Sequence, residues 1–144
     1  MRYLGLDLGS KTLGIAISDS SRTISSVLTT IRFKDEDYDL LLEPLEKIVV
    51  ENNIQKIILG YPLNMDGTVG PRAEITLLFQ KKIEDKLKIK VELEDERLTS
   101  VISNQVLIEA DLSRKKRKKK VDGLAAQLIL QSYLDRKGDD WNEW

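Results

Sequence analysis

Asp7 interrupts the apolar run Leu4-Gly5-Leu6-Asp7-Leu8-Gly9. Written as a strand, Leu4, Leu6 and Leu8 share one face while Gly5, Asp7 and Gly9 share the other, so the carboxylate stands between two residues without side chains. A bulky anionic ligand can approach the backbone there, although Asp-x-Gly is also an ordinary way to end a strand in a turn. Asp122 is out of place in a second way: three, four, seven and eleven residues on stand Ala125, Ala126, Ile129 and Tyr133, an apolar helical face, with Gln127 and Gln131 on the opposite side. A carboxylate on that face needs a partner such as a metal cation, or it serves only as an acidic first-turn residue favoured by the helix dipole. The third group is Glu92, Glu94, Asp95 and Glu96, followed by Arg97. Alternation sets Asp95 with Val91 and Leu93, and Glu96 with Glu92 and Glu94, without saying which set faces a site. Carboxylates converging from separate elements suit the hard cations Mg²⁺ and Mn²⁺. A pair of such ions about 4 Å apart activates water and stabilises the leaving oxygen in phosphodiester cleavage.

Composition narrows the chemistry further. The chain has no Cys and no His, so disulfides are excluded, imidazole or thiolate zinc sites are not available, and His-based nucleophilic triads cannot be built. Catalysis has to run on carboxylates, Lys, hydroxyls or a hard metal. Net charge is only -1, with 23 Lys and Arg against 24 Asp and Glu, but the average hides an unbroken basic block, Arg114, Lys115, Lys116, Arg117, Lys118, Lys119 and Lys120. Such a block repels itself and reads as an exposed, mobile loop. Lying just before the Asp122 helix, it is placed to neutralise phosphates and to steer a polyanion toward the carboxylates. No apolar run approaches the roughly twenty residues of a membrane span. The N-terminus enters a strand directly and not a signal peptide. A soluble, cytoplasmic protein is the expectation.

At 144 residues the chain reads as one domain. Residues 3–8 and 13–18 form a hairpin about the Gly9-Ser10-Lys11-Thr12 turn, and a third strand covers Ser25 to Phe33. After an acidic loop at 34–39, Leu41, Leu45, Ile48 and Val49 follow helical spacing, with Pro44 near the start. Lys56 to Leu59 is a short buried strand, Gly60 to Gly70 a loop rich in Gly, Pro, Asn and Asp, and Ala73 to Leu87 a helix. Ile89 to Glu94 alternates as a strand. Thr99 to Glu109 and Val121 to Leu134 read as helices, and Arg136 to Trp144 as a loosely held polar tail. Hairpins followed by alternating helices and strands imply an α/β fold on a mixed sheet, antiparallel at first and parallel later. The acidic cluster then lies at the carboxyl end of a parallel strand, where open α/β sheets place their sites.

Four segments together resemble the YqgF family, also known as the Holliday junction resolvase or pre-rRNA nuclease family: Leu4 to Ala16, Gly60 to Thr68, Asp95 to Thr99, and Arg117 to Leu134 with Asp122, Ala125-Ala126 and Ile129 to Leu134. They occur in the family's order and cover nearly the whole chain. The resemblance implies a ribonuclease H-like fold and metal-ligand roles for Asp7, for Glu96 with Asp95 as the alternative, and for Asp122. It makes the Pro62 to Thr68 loop a lip beside the site, where Asn64 either hydrogen-bonds substrate or shapes a turn. Lys11 and Thr12 are candidates for phosphate contact. Arg97 and Thr99 are candidates to orient the carboxylates, with helix capping the plainer role for Thr99. The seven-residue basic block is longer and more uniform than the family's usual pair before this Asp.

The implied activity is Mg²⁺- or Mn²⁺-dependent endonucleolytic cleavage, first of precursor 16S ribosomal RNA in ribosome biogenesis. A ribosomal precursor particle would be the partner, and the enzyme a monomer or homodimer. The same chemistry on four-way DNA junctions is the alternative, and would call for a symmetric dimer. Two other classes compete. Asp7-x-Gly9 followed by Ser, Lys and Thr also resembles the first phosphate motif of actin-like and sugar-kinase-like ATPases, which close two such domains around a nucleotide. A non-catalytic RNA-binding protein would keep its binding when the carboxylates are replaced.

Overall fold

The computed structural model describes residues 2–34, 37–96 and 114–141, with the side chains of the last stretch described over 123–136. Five strands form one sheet: β1 (Arg2–Leu8), β2 (Thr12–Ser18), β3 (Ser25–Arg32), β4 (Ile54–Tyr61) and β5 (Lys90–Asp95), in the order β3-β2-β1-β4-β5. β1, β2 and β3 are antiparallel neighbours, while β4 runs parallel to β1 and β5 parallel to β4. The expected mixed sheet is therefore the observed one. A 3₁₀ turn (Tyr38–Leu41) leads into α1 (Leu42–Glu51), α2 (Pro71–Leu87) joins β4 to β5, and α3 (Arg114–Trp141) closes the described chain.

Side-chain alternation divides the core between the two faces of the sheet. Leu4, Leu6, Leu8, Leu13, Ile15, Ile57, Leu59 and Val91 meet Leu45 of α1 and Phe79 and Ile83 of α2. Tyr3, Ala16 and Ile58 meet Ala126, Ile129, Leu130, Tyr133 and Leu134 of α3. β4 is central and contributes to both faces, which explains the uninterrupted Ile57-Ile58-Leu59. β3 is an edge strand, held to α3 by Ser25, whose N–H donates to Gln131 Oε1 at 2.9 Å and whose hydroxyl donates to the Gln127 carbonyl at 2.7 Å. Pro44 occupies the first turn of α1 and Pro71 starts α2, positions where a missing N–H leaves no helical bond unmade. Among the described residues no helix is long and apolar enough to cross a membrane.

Several expectations are corrected. Residues 114–120 are the first two turns of α3 and not a loop. Lys and Arg are good helix formers, and once a helix is anchored on the sheet each further residue adds a hydrogen bond without a new nucleus. The same extension carries α3 through Arg136 to Trp141, so that part of the supposed tail is helical. β4 reaches two residues further at each end than expected, taking Gly60 and Tyr61 out of the loop. The helix expected over 99–109 lies outside the described residues.

Gly5 also does something other than expected. Its bare face receives α3 and not a ligand: a Cβ there would sit 2.7 Å from Leu130 Cβ and 3.0 Å from the Ala126 carbonyl oxygen. Helix backbone on one side and strand backbone on the other leave little room to give. Gly5→Ala should destabilise the protein by about 1–3 kcal/mol through overpacking. Urea unfolding checks this as a lower midpoint at unchanged slope.

Candidate active site

β1, β4 and β5 run parallel, so their carboxyl ends share one edge of the sheet. Asp7 stands near the end of β1, in register with Gly14 of β2, half-buried. Its face is the α3 face, because Leu6 and Leu8 on either side point into the α1/α2 core. The ambiguity in the acidic cluster resolves in the same way. Val91 and Leu93 pack with the α1/α2 core, which sends Asp95 to that side. Glu92, Glu94 and Glu96 fall on the α3 face with Asp7.

The three glutamates have different surroundings. Glu92 pairs with Lys56 at 3.2 Å and Lys90 at 3.4 Å, and Lys56 also donates to the Tyr133 hydroxyl at 3.1 Å. Glu94 is almost fully buried and meets the Arg136 guanidinium at 2.7 Å. These contacts fasten β5 to the C-terminal half of α3. Glu96 follows β5, with its N–H donating to the Tyr61 carbonyl at 3.1 Å. Its carboxyl group folds back across β4 at Gly60, where a Cβ would lie 2.5 Å from Glu96 Oε1 and 2.5 Å from Ile129 Cδ1. Only glycine leaves that space.

Folded over Gly60, Glu96 reaches Asp7 and hydrogen-bonds to it. Burial, then the hydrogen bond to Asp7 and the Asp7 charge, push the Glu96 carboxyl from its ordinary 4.5 up to about 8, while the Arg72 guanidinium opposes the rise. The buried Glu96 carboxyl beside Asp7 is thus disfavoured in its charged form. A divalent cation would offset that cost, and an all-oxygen donor pair suits Mg²⁺ or Mn²⁺. Among the described residues no three Asp, Glu, His or Cys gather closely enough to hold a metal. The described donor set is thus the pair Asp7 and Glu96. Residue 122 lies in α3 one turn before Ala126, whose carbonyl faces Gly5. The Asp122 carboxylate is outside the described side chains.

Arg72 is a site residue that reading the sequence overlooked. It stands in the first turn of α2, half-buried, and donates from Nη2 to the carbonyl of Leu8 at 2.9 Å. A signal was present, since an arginine in the first helical turn opposes the macrodipole and asks for a reason. Gly60 was likewise read as loop, although a glycine ending an apolar strand hints at close approach.

The loop after β4 is a tied turn. Asn64 and Thr68 exchange main-chain contacts through Asn64 N–H and the Thr68 carbonyl at 3.0 Å, Gly67 N–H donates to the Asn64 carbonyl at 2.8 Å, and Gly67 has φ 88°. Asn64 Nδ2 donates to Thr68 Oγ1 at 2.9 Å, and its amide packs against Gly70. Of the two expectations for Asn64, the turn-shaping one describes this geometry. Lys11 is exposed in the turn that follows Asp7, and Thr12, half-buried, opens β2 at the same edge of the sheet. Arg97 and Thr99 lie outside the described residues, as do the side chains of Arg114 to Lys120.

A family model described as "RuvX: Holliday junction resolvase" matches residues 1–136. A Clostridium botulinum (strain Alaska E43 / Type E3) protein named "Putative pre-16S rRNA nuclease" is 51% identical over 136 residues, covering 94% of this chain and 98% of its own. The Bacillus subtilis (strain 168) protein of the same name is 47% identical over 135 residues, covering 94% and 98%. Among solved structures, T. thermophilus RuvC in complex with Holliday junction substrate superimposes with a TM-score of 0.63 at 10% identity, covering 96% of each chain. The fowlpox virus Holliday junction resolvase gives 0.55 at 19% identity, covering 94% of this chain and 99% of its own. At such identities the structures speak for the fold alone, which is the ribonuclease H-like one that the resemblance implied. With a family match over almost its whole length, the chain belongs to the RuvX family of Holliday junction resolvases, the YqgF family of the sequence resemblance.

Proposed function

We propose that this chain is a metal-dependent endonuclease that cuts the phosphodiester backbone of precursor 16S ribosomal RNA. The observation that carries the reading is the Asp7–Glu96 carboxyl pair at the carboxyl edge of the parallel strands. Asp7 and Glu96 are the proposed metal ligands, with Asp122 from α3 as the third. The side of the sheet on which Glu96 lies favours it over Asp95. A bound Mg²⁺ or Mn²⁺ supplies Lewis acidity, acidifying water and offsetting the charge that builds on the phosphodiester. The chain's own part is to hold the two carboxylates on rigid strands, to exclude bulk water behind Glu96 with Ile129, and to bring a polyanion to them. Lys11 in the turn after Asp7, Thr12 at the start of β2, and Arg114 to Lys120 at the start of α3 are the proposed backbone contacts.

Ribosomal RNA is preferred to DNA because the curated relatives near 50% identity carry the rRNA nuclease name. The family description favours a second reading, resolution of four-way DNA junctions. The experiment offers end-labelled precursor 16S rRNA and a four-way junction in parallel, with Mg²⁺, with Mn²⁺ and with chelator, to the wild type and Asp7→Asn. Metal-dependent RNA cutting lost in the variant is the expected result. Cutting of the junction alone would promote the second reading. If both proteins bind RNA equally and neither cuts, the carboxylates are structural and the chain is a binding module.

A further inference from the structure

We propose that Arg72 is a phosphate-contact residue of this site, its guanidinium tethered at one nitrogen to the Leu8 carbonyl and turned by that tether toward the nucleic-acid strand brought to Asp7 and Glu96. The inference rests on the nuclease reading above and adds to it a specific cation.

Two observations meet at this side chain. The first is location. Arg72 leaves the first turn of α2, on the opposite side of the sheet from Asp7, yet its Nη2 reaches the carbonyl of Leu8, the residue that follows Asp7. The charge is thereby delivered to the end of β1, where the carboxylates are. The second is its unused capacity. A guanidinium offers five N–H donors in a planar fork, and the bond to Leu8 uses one of them. A mere tie between α2 and β1 would need no charge, and a neutral amide would serve.

A planar fork matches two oxygens of a phosphodiester, and a half-buried guanidinium loses little further hydration on binding one. One nitrogen held by Leu8 removes much of the side-chain entropy that such a contact otherwise costs. Arg72 would hold a non-bridging oxygen of the strand while the carboxylate end of the site carries the metal.

Arg72→Met and Arg72→Lys test this in the full chain, using three measurements. Affinity for a fluorescent precursor-rRNA fragment is followed against salt in chelator; Mn²⁺ binding is measured without RNA; and cleavage is measured at saturating RNA. Loss of one phosphate contact should flatten the salt dependence of Arg72→Met by about 0.7–0.9 in slope, with Mn²⁺ affinity within about twofold. Arg72→Lys keeps the point charge and so the slope, but lacks the fork and should cut at least tenfold more slowly. A purely structural tie predicts the opposite for Arg72→Met: a lower Tm with the slope unchanged, which would overturn the proposal. If Arg72→Met does not fold, Arg72→Lys decides alone, since an undiminished cleavage rate rules the fork out. Wild type that neither binds nor cuts RNA or the DNA junction would instead sink the underlying nuclease reading, a result readily told apart from a null effect at Arg72.

Discussion

Glu96→Gln should slow metal-dependent cleavage roughly a hundredfold while making the metal-free protein more stable. The first half follows from removing one of two anionic donors from a divalent cation whose charge is worth several kcal/mol to the transition state. A loss of about 3 kcal/mol corresponds to roughly a hundredfold in rate. The second half follows from the raised Glu96 carboxyl. Glu96 titrates near 8 in the folded chain against an ordinary 4.5, so folding takes up a proton between those values, and stability falls as pH rises through that window. Gln keeps a hydrogen bond toward Asp7 at every pH and carries no charge, so it escapes the penalty. The variant and wild type should melt together below about pH 4.5 and diverge by roughly 4 kcal/mol at pH 8. Mg²⁺ should narrow the gap by stabilising the wild type only. Differential scanning calorimetry with chelator, from pH 4 to 8, measures it. Coincident melting across the range would show that the two carboxyl groups do not strain one another and would remove the main support for a metal centre at this pair.

Such a conflict between stability and activity marks a functional site, and it accounts for which parts of the molecule could be read from the sequence. β1, β2, β4, β5, α1 and α2 announce themselves because each buries one face or two, and burial imposes a period of 2 or 3.6 on the residue types. Asp7 was visible as a break in that period. Glu96 was not separable from Asp95 by pattern, since it takes Val91 and Leu93 in the α1/α2 core to say which face is which. Arg72 and Gly60 act through contacts between elements far apart in sequence, with Leu8 and with Glu96, and nothing in their own neighbourhoods encodes the partner. Gly5 shows the reverse error. Its lack of a side chain was legible, but whether a ligand or a helix fills the space depends on where α3 crosses the sheet. The start of α3 was misread because charge repulsion was weighed and helix continuation from an anchored segment was not.

The helical backbone of the basic block limits how many of its cations one nucleic-acid strand can meet. Seven consecutive cations occupy the first two turns of α3, and no acidic residue stands in the first turn. Like charges four apart repel, and cations at a helix N-terminus oppose the dipole, so these turns lack electrostatic support of their own. A polyanion supplies it. A helix rotates about 100° per residue, so seven successive residues point all round the axis, and about three or four of them can face one strand at a time. Replacing Arg114 to Lys120 together by Gln should therefore lower the slope of log affinity against log salt by about 2–3, not by the 5 or more that seven simultaneous contacts would give, and weaken RNA binding roughly 50–100-fold at physiological salt. Circular dichroism should show helix gained on RNA binding by the wild type, and a smaller gain in the variant. Cleavage at saturating RNA should hold near the wild-type rate, since binding lost equally from ground and transition states raises KM and leaves kcat, in contrast to Glu96→Gln, where excess RNA restores nothing. A fall in kcat with an unchanged salt slope would mean that the block touches the reacting phosphate or the Asp122 turn and does not gather the strand, and the division between a binding helix end and a carboxylate centre would have to be redrawn.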